Sequence, residues 1–195
     1  MSVHSLENRL YEIIKRVFDL IVSGVSIVLL FPLMGIIYCI IKIQDPGPAI
    51  FKQERIGKDG KLFSIYKFRS MKQNAPNIAA REINEEDYVT SIGKILRKTS
   101  LDELPQLLNI LKGEMSFVGP RPLIPNEGII NDLRVEKEIH KLIPGLTGWA
   151  QIKARNTHSM EEKLDLDVYY YSNRNFLLDL KIIFMTFSSM IQREE

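Results

Sequence analysis

The chain has little cysteine and almost no net charge. Its one cysteine, Cys39, lies in an apolar run, so no internal disulfide can form and a reducing compartment or a lipid environment is expected. Lys and Arg together number 26 against 24 Asp and Glu, which leaves a net charge of +2. That excess is too small for a dedicated nucleic-acid-binding protein, so we expect no nucleic acid among its partners.

Internal repeats and low-complexity tracts are also absent from the 195 residues. The length suits one compact domain with a real core and is too short for two ordinary ones. Apolar residues make up 45% of the chain and charged residues 26%, as in an ordinary globular protein. A single integrated unit is therefore expected.

One long apolar run, VFDLIVSGVSIVLLFPLMGIIYCII, extends from Val17 to Ile41 with one formal charge. As a straight helix it would be roughly 37 Å long, enough to cross a bilayer core. A soluble core helix is rarely apolar on all faces over this length. A signal peptide has a shorter apolar core, followed by a cleavage site of small residues. The run therefore predicts a membrane segment.

Pro32 and the flanking charges favour a re-entrant path over a single pass, although both remain open. Proline removes one helix hydrogen bond and clashes with the preceding turn, which predicts a helix-break-helix at Phe31 and Pro32. Lys15 and Arg16 precede the segment and Lys42 follows it. Because basic residues mark the cytoplasmic side, basic ends on both sides indicate a return to the starting side.

Lys15 and Arg16 also have two interpretations. They extend towards lipid phosphates as ordinary interfacial cations, or they bind a phosphorylated lipid. Asp19 lies three residues after Arg16, on the same helix face, so we expect these two side chains to pair.

The rest of the chain predicts a small α+β domain. Residues 49–55 and 61–68 are rich in β-branched and aromatic residues around the turn GKDG, which predicts a β-hairpin. Two short helices broken near residues 99–100 should follow. The C-terminal pattern predicts either an amphipathic helix at the bilayer surface or a core helix. We assign residues 1–43 to the re-entrant membrane helix and 44–195 to a cytosolic, interfacial catalytic domain integrated with it.

Two adjacent acids, Asp102 and Glu103, open the stretch SLDELPQ. Ser100 and Glu103 match a capping box. Pro105 argues against that register, because Asp102 as N-cap would put the proline where no helix donor is needed. There the helix dipole would favour the ionised form of Asp102. An ionised carboxylate can be a nucleophile or a Mg²⁺ ligand, and Glu103 is close enough to share the ion.

Four cations surround these acids in the sequence pattern. Lys67 and Arg69 end the second strand, Arg97 precedes the acids, and Arg121 lies between two prolines. Arginine offers planar, bidentate recognition of phosphate, and the prolines limit the freedom of the loop before substrate arrives. We therefore predict that all four bind substrate. Acids, cations and a membrane segment together indicate phosphoryl transfer at a lipid surface.

Five motifs occur in order: KRVFD, FKQERIGKDGKLFSIYKFRSM, LRKTSLDELPQLLNILKGEMSFVGPRPL, PGLTGWAQIKARN and LDLDVYY. Over nearly its whole length the chain resembles the bacterial sugar transferases, the monotopic polyprenyl-phosphate phosphoglycosyl transferases, in their minimal form. The resemblance implies transfer of a phosphosugar from a UDP-sugar to undecaprenyl phosphate, with UMP released. It also implies a covalent aspartyl intermediate and a place on the cytoplasmic face of the bacterial inner membrane, with both termini cytoplasmic.

The resemblance also assigns roles to residues. Asp102 matches the nucleophile, Glu103 its partner and Mg²⁺ ligand, and Arg121 the phosphate-binding arginine. Further positions fall on family motifs as a basic pair of the membrane helix or as substrate-binding residues: Lys15, Arg16, Lys67, Arg97, Asn156 and Asp167.

One departure from the family concerns the helix break, where the family often has Ser-Pro and this chain has Phe31-Pro32. Polar support for a break would then come from Ser23, Ser26 or water.

Two other functions compete: a membrane-anchored Mg²⁺-dependent hydrolase with water as acceptor, and a non-catalytic scaffold in which Asp102 only caps a helix. The UDP-sugar, the glycan built and the formation of a homodimer stay open at this point.

Overall fold

The fold was analysed in a computed structural model that describes residues 3–75, 88–125, 127–154 and 159–191. Helices dominate an α+β architecture. Within these ranges the α-helices are α1 (Val3–Gln44), α2 (Ser91–Thr99), α3 (Leu107–Lys112), α4 (Ile129–Glu136), α5 (Trp149–Lys153), α6 (Met160–Asn173) and α7 (Phe176–Ile191). The strands are β1 (Ile50–Ile56), β2 (Leu62–Phe68), β3 (Ser116–Val118) and β4 (Gly145–Thr147). The α+β fold class is confirmed.

The helix α1 continues without interruption through Pro32. The expected break at Phe31 and Pro32 is therefore not seen as a gap in the helix. A proline costs one backbone hydrogen bond, and a membrane helix can tolerate that loss when the turns on both sides keep their own bonds. The return of the chain to its starting side of the membrane stays a prediction.

Most of the surface of α1 is open. The stretch Arg9–Gln44 has a mean hydropathy of 2.6 in its most apolar window, and 11% of that window is buried. Val28 and Phe31, for example, are 74% and 70% exposed. The core helix of a soluble protein would bury most of its apolar side chains. We therefore assign α1 as a membrane helix.

One stripe of α1 packs against the rest of the protein at helical spacing. Two clusters share this stripe. Ile37 and Ile41 pack with residues that follow the helix, namely Ala49, Phe68 and Leu96. Ile27 and Leu30 pack with residues of the hairpin, of α3 and of the segment after α3, namely Ile65, Leu107, Ile110 and Met115. The membrane helix and the domain therefore share their hydrophobic cores.

The strands β1 and β2 form the predicted antiparallel hairpin. Their register runs from Ile50 opposite Phe68 to Ile56 opposite Leu62. In the turn, Asp59 and Gly60 take positive φ angles of 57° and 75°. Asp and Gly tolerate that region best, so the sequence GKDG suits the turn.

The free edge of β2 is satisfied by one side chain of α3. The fully buried Asn109 accepts a hydrogen bond from the Tyr66 amide (3.1 Å) and donates to the Ser64 carbonyl (2.7 Å). It also donates to the Glu114 carboxylate at 2.7 Å. One amide side chain therefore replaces a neighbouring strand and ties the hairpin to α3.

The predicted break between two short helices is confirmed at residues 99–100. Thr90 caps the start of α2, where its hydroxyl accepts from the Gly93 amide at 3.0 Å. Ser100 ends α2 in a left-handed conformation with φ 57°. A 3-10 helix, Leu101–Gln106, follows and leads directly into α3, which ends at Gly113. We call Leu101–Gln106 the acidic turn.

The strands β3 and β4 form a short parallel pair that joins two motifs distant in sequence. Val118 lies opposite Thr147. A Cβ atom added at Gly119 would lie 2.4 Å from the Ile143 carbonyl oxygen, and one added at Gly145 would lie 2.1 Å from the Gly119 nitrogen. Only glycine allows these two backbones to approach so closely.

The C-terminal helix α7 has two different faces. Asp179 and Ile182 are buried against the domain, whereas Leu177, Phe184 and Phe187 are exposed. One face of α7 therefore lies in the core, as the core-helix alternative predicts, and the other carries exposed apolar side chains. Such an amphipathic helix suits a bilayer surface. Its location at a bilayer surface stays a prediction.

Candidate active site

The acidic turn, Leu101–Gln106, packs against the last turns of the apolar part of α1. Its Leu101 and Leu104 belong to the same cluster as Ile37 and Ile41. The two acids of the turn therefore lie beside the point where the apolar run ends, one residue before Lys42. This location is close to the depth of lipid headgroups if α1 is inserted.

Neither capping prediction for the acids is correct. Ser100 occupies the N-cap position, but its left-handed conformation gives no side-chain cap, and Asp102 lies inside the first turn. The Glu103 amide is satisfied by the Ser100 backbone carbonyl at 3.2 Å. Because backbone atoms make this contact, no side-chain cap from Ser100 to the Glu103 amide is needed.

Two predicted cations lie close to the acids. The Lys67 ammonium of β2 is 2.6 Å from Glu103 Oε1, with 25% and 32% of the two side chains exposed. Arg97 of α2 also acts on Asp102 electrostatically, and its Nε donates to Ser70 Oγ at 2.9 Å. The hairpin, α2 and the acidic turn thus bring Lys67, Arg97, Asp102 and Glu103 into one half-buried cluster.

Burial raises the pKa of Asp102 above its usual value. Lys67 is the strongest opposing influence, the negative charge of Glu103 raises the pKa further, and Arg97 lowers it. The helix dipole was expected to favour the ionised form of Asp102, whereas burial acts in the opposite direction. Loss of hydration disfavours the charged form because the carboxyl group is partly withdrawn from water.

Another predicted cation, Arg69, immediately follows β2 and contacts Asp45. It is buried, donates to the Asp45 backbone carbonyl and approaches the Asp45 carboxylate at 3.4 Å. Asp45 immediately follows α1, so this contact fixes the connection between the membrane helix and β1. The geometry supports a structural role for Arg69.

Lys15 has a protein partner in place of the expected lipid phosphate. Its ammonium is 2.5 Å from Asp179 of α7, a carboxylate that also accepts hydrogen bonds from Tyr11 (2.9 Å) and Tyr170 (2.7 Å). Only 14% of the lysine side chain is exposed. This network fixes the start of α1 to α7, and a lipid-binding role for Lys15 stays a prediction.

Arg16 likewise contacts the protein. Its guanidinium donates to the carbonyls of Ile110 (2.7 Å) and Leu111 (2.9 Å), near the C-terminus of α3. The expected pairing of Arg16 with Asp19 is wrong, because Asp19 Oδ1 instead accepts from the Phe117 amide at 3.1 Å. A cation near a helix C-terminus is favourable, which explains the choice of partner.

Arg121 is exposed, and no contact within the described residues joins it to the acids. Its loop meets the far end of the hairpin, where the Ile56 amide donates to the Leu123 carbonyl at 2.9 Å. Lys67, by contrast, pairs with Phe51 at the other end. Five residues of strand separate these ends, about 17 Å. A site that uses both cations would therefore extend along the hairpin.

Asp167 is buried and paired, so it does not face an open site. Its carboxylate lies 2.5 Å from Arg134 of α4, which also donates to the Arg121 carbonyl at 2.7 Å. Burial raises the pKa of Asp167, and the charge of Arg134 opposes that effect. This geometry therefore does not support direct contact between Asp167 and the substrate. Asn156 lies outside the described residues.

Comparison with known proteins places this arrangement in a family. The family model for bacterial sugar transferases matches residues 10–193. The chain belongs to the bacterial sugar transferase family. The "Uncharacterized sugar transferase EpsL" of Bacillus subtilis (strain 168) is 41% identical over 189 residues, which cover 93% of this chain and 89% of that protein.

Two longer relatives of this sugar transferase carry descriptions of their reactions. The "UDP-N-acetylgalactosamine-undecaprenyl-phosphate N-acetylgalactosaminephosphotransferase" of Aeromonas hydrophila is 38% identical over 95% of this chain. The "UDP-glucose:undecaprenyl-phosphate glucose-1-phosphate transferase" of Escherichia coli (strain K12) is 37% identical over 90% of it. The matches cover 45% and 39% of these two proteins.

The donor groups of the sugar transferase can be tested for a fit to Mg²⁺. Within the described ranges, no group of three or more His, Cys, Asp or Glu side chains is placed to hold a metal ion. Asp102 and Glu103 remain as adjacent carboxylates. Mg²⁺ is often bound by one or two carboxylates together with substrate phosphates and water. The residues therefore fit an ion shared with substrate and not an all-protein cage.

Sequence patterns did not single out three residues whose contacts join distant parts of the chain: Arg55, Asn109 and Arg134. Arg134 lies in an ordinary amphipathic helix, where a lone cation cannot be told from a solvated one. Asn109 lies within the motif LRKTSLDELPQLLNILKGEMSFVGPRPL, but no local pattern reveals its bonds to the backbone of β2. Arg55 lies within the motif FKQERIG, and that motif was the one signal that could have identified it.

Proposed function

We propose that this sugar transferase moves a phosphosugar from a UDP-sugar to undecaprenyl phosphate and releases UMP. The product, a diphosphate-linked lipid sugar, would begin glycan assembly on the cytoplasmic face of the bacterial inner membrane. The main observation that supports this proposal is the cluster of Asp102, Glu103 and Lys67 beside the end of the membrane helix. The described reactions of the Aeromonas and Escherichia relatives support the same substrates.

The first step joins the phosphosugar to the enzyme. A carboxylate oxygen of Asp102 attacks the β-phosphorus of the UDP-sugar. The bond from that phosphorus to the bridging oxygen breaks, and its electron pair leaves with UMP. The phosphosugar is then held as a mixed anhydride on Asp102. Splitting the transfer in this way lets both substrates use one site in turn.

The second step regenerates the enzyme. A phosphate oxygen of undecaprenyl phosphate attacks the same phosphorus. The bond between phosphorus and the Asp102 oxygen breaks, and its electrons return to the carboxylate. The two steps together require no oxidant and no net gain or loss of a proton.

Other residues of the chain neutralise charge. Asp102 and Glu103 would hold Mg²⁺ together with substrate phosphates, and the ion would supply charge neutralisation at the phosphoryl oxygens. The Lys67 ammonium, 2.6 Å from Glu103, lies ready to stabilise negative charge beside the reacting group. Arg121, at the other end of the hairpin, is suited to the nucleotide phosphate. An extended donor would then lie along the hairpin.

The reaction can be tested with purified protein in detergent or vesicles. A panel of UDP-sugars is offered with undecaprenyl phosphate and Mg²⁺, and UMP is measured. We expect continuous UMP release with one donor only when undecaprenyl phosphate is present. With donor alone we expect a single burst, with phosphosugar on the peptide that contains Asp102. Continuous release without the lipid acceptor would identify the hydrolase alternative.

Asp102→Asn separates the catalytic role from a structural one. We expect transfer to fall by at least about 10³-fold, because a nucleophile cannot be replaced by an amide. Asp132→Asn is the matched control, because Asp132 is an exposed acid of α4 and its loss should leave the rate unchanged. Retention of transfer by Asp102→Asn would overturn the covalent mechanism.

A further inference from the structure

The loop that carries Arg121 is held by its backbone on both sides. Before it, the Gly119 amide donates to the Thr147 carbonyl, and the Pro120 carbonyl accepts from the Gly145 amide, both at 2.9 Å. After it, the Leu123 carbonyl accepts from the Ile56 amide at 2.9 Å. These bonds tie the loop to β4 and to the hairpin.

Two arginines from different elements hold the two remaining carbonyls of the loop. Arg134 Nη1 of α4 donates to the Arg121 carbonyl at 2.7 Å. Arg55 Nη1 of β1 donates to the next carbonyl, that of Pro122, at 3.1 Å. Four successive carbonyls, from residue 120 to residue 123, are therefore occupied by donors from outside the loop.

Each of these arginines has its own anchor. Arg134 Nη2 lies 2.5 Å from Asp167 of α6, and only 14% and 4% of the two side chains are exposed. Arg55 Nη2 lies 2.6 Å from Gln53 Oε1. We call Arg55 and Arg134, with their partners Gln53 and Asp167, the arginine clamp.

Positive charge is concentrated around the loop. Burial lowers the pKa of Arg55, and the nearby charge of Arg121 lowers it further. Arg55 and Arg134 use their guanidinium groups on carbonyls, whereas the Arg121 side chain is exposed. An exposed guanidinium on a loop whose backbone is fixed, next to further positive charge, is an arrangement that suits a phosphate group.

We propose that Arg55, Arg134 and Asp167 are positioning residues that hold Arg121 ready for a phosphate of the nucleotide donor. This inference rests on the proposed function. Asp167 then acts on the donor through Arg134, without touching it. A loop ordered before binding loses less conformational entropy when the donor arrives, so the clamp should act mainly on donor affinity.

Arg134→Lys is the main test. A lysine can keep the ion pair with Asp167, but a single ammonium cannot also reach the Arg121 carbonyl as the forked guanidinium does. We expect the KM for the UDP-sugar to rise about tenfold, with the KM for undecaprenyl phosphate unchanged. Arg134→Met should have the larger effect, because it leaves Asp167 buried without a partner.

Arg121→Ala provides a double-mutant cycle. If Arg134 acts through Arg121, Arg134→Lys should raise the donor KM little or not at all in the Arg121→Ala background. Lys141→Ala, which removes the exposed ion pair with Glu138, is the matched control and should change neither KM. Binding of UMP, followed by titration calorimetry, should weaken in the same pattern without any dependence on turnover.

The clamp is overturned if wild-type enzyme is active and Arg134→Lys leaves the donor KM and UMP affinity unchanged. It is also overturned if the effects of Arg134→Lys and Arg121→Ala multiply, or if both substrates lose affinity equally, because a merely structural role predicts those results. The proposed function fails differently: wild-type protein would then release no UMP from any UDP-sugar.

Discussion

Asp102 has the environment of a reactive group and not of a surface acid. It is half-buried, and three charged neighbours act on it, two of them cations. Burial makes its carboxylate less hydrated, which raises its pKa and strengthens it as a nucleophile once it is ionised. Lys67 and Arg97 lower the pKa of Asp102 and so favour its ionised form. Burial and these cations therefore act in opposite directions on the ionisation of Asp102.

Replacing Lys67 should move the acid limb of the pH profile. Lys67 is the strongest influence that lowers the pKa of Asp102, and Arg97 is a weaker one. In Lys67→Met the pKa of Asp102 rises, so the acid limb of kcat/KM for the donor shifts to higher pH. Arg97→Met should shift it less. The measurement is UMP release against pH, and equal shifts for both variants would contradict the assignment.

The same shift has a consequence for stability. Because the folded-state pKa of Asp102 lies above its unfolded value, protonation stabilises the fold at low pH. That contribution is lost as the pH rises through the folded pKa. Asp102→Asn should therefore unfold at or above the wild-type temperature at neutral pH, while it loses transfer.

At the residue scale, sequence predicted some positions and missed the contacts of others. Asp102 and Glu103 are adjacent in the chain, so their proximity could be predicted without knowledge of the fold. The pairing of Asp167 with Arg134 joins two helices through residues that are 33 positions apart in sequence. No periodicity reveals such a pair, and only the family motif indicates a substrate-binding role for Asp167. The partners of Lys15 and Arg16 lie in α7 and α3, so sequence likewise cannot show that these two cations are paired within the protein.

At the element scale, the acidic turn depends on the backbone of Ser100. The residue has φ 57° and ψ 17°, and its side chain makes no cap. Left-handed backbone costs a non-glycine residue roughly 1 kcal/mol. A sharp change of direction there lets α2 end and the acids project from a separate 3-10 helix. The turn therefore costs local stability and needs no side-chain cap from Ser100.

Ser100 and Thr90 should respond oppositely to truncation. Thr90 caps α2 through its hydroxyl, so Thr90→Ala should destabilise the protein by about 1 kcal/mol. Ser100→Gly should be neutral or stabilising by up to about 1 kcal/mol, because glycine accepts positive φ without strain. Both are measured as shifts of the unfolding midpoint in detergent. A loss for Ser100→Gly as large as that for Thr90→Ala would restore the capping-box interpretation.

Asn109 is the element-scale joint between the hairpin and α3. Asn109→Asp would remove both donated hydrogen bonds and put a carboxylate against the Ser64 carbonyl and the Glu114 carboxylate. We expect a destabilisation of at least about 2 kcal/mol, because buried polar groups lose their partners. The exposed Asn173→Asp, which sits near the end of α6, serves as control. Equal midpoints for the two variants would contradict this role.

Elements with a local signal were predictable, and elements without one were not. The hairpin was found because apolar and aromatic residues flank a Gly-rich turn. The parallel pair of β3 and β4 was not predicted, because each strand is three residues long and their partners lie far apart in the chain. Its existence depends on close approach of glycine backbones, at Gly119 and Gly145, which only the folded chain displays.

At the scale of the whole molecule, both ends of α1 contact the same domain. Lys15 pairs with Asp179 of α7, and Ile41 packs with Ala49 and Phe68. The 26 residue steps from Lys15 to Ile41 span about 39 Å of helix, more than the roughly 30 Å of a bilayer core. A helix that crossed the bilayer would force the domain either onto both sides or into hydrocarbon, where its polar backbone could not be satisfied. These contacts favour a chain that stays on one side.

Cysteine labelling tests this topology. In a Cys39→Ser background, single cysteines are introduced by Ser5→Cys, Ile43→Cys and Lys61→Cys. Ile43 is 82% exposed, and Lys61 is exposed on the hairpin. If both ends of α1 and the domain lie in the cytoplasm, a membrane-impermeant maleimide labels all three in inside-out vesicles and none in intact spheroplasts. Labelling of residue 5 only in spheroplasts, with residues 43 and 61 labelled only in inside-out vesicles, would establish a single pass and overturn the monotopic arrangement.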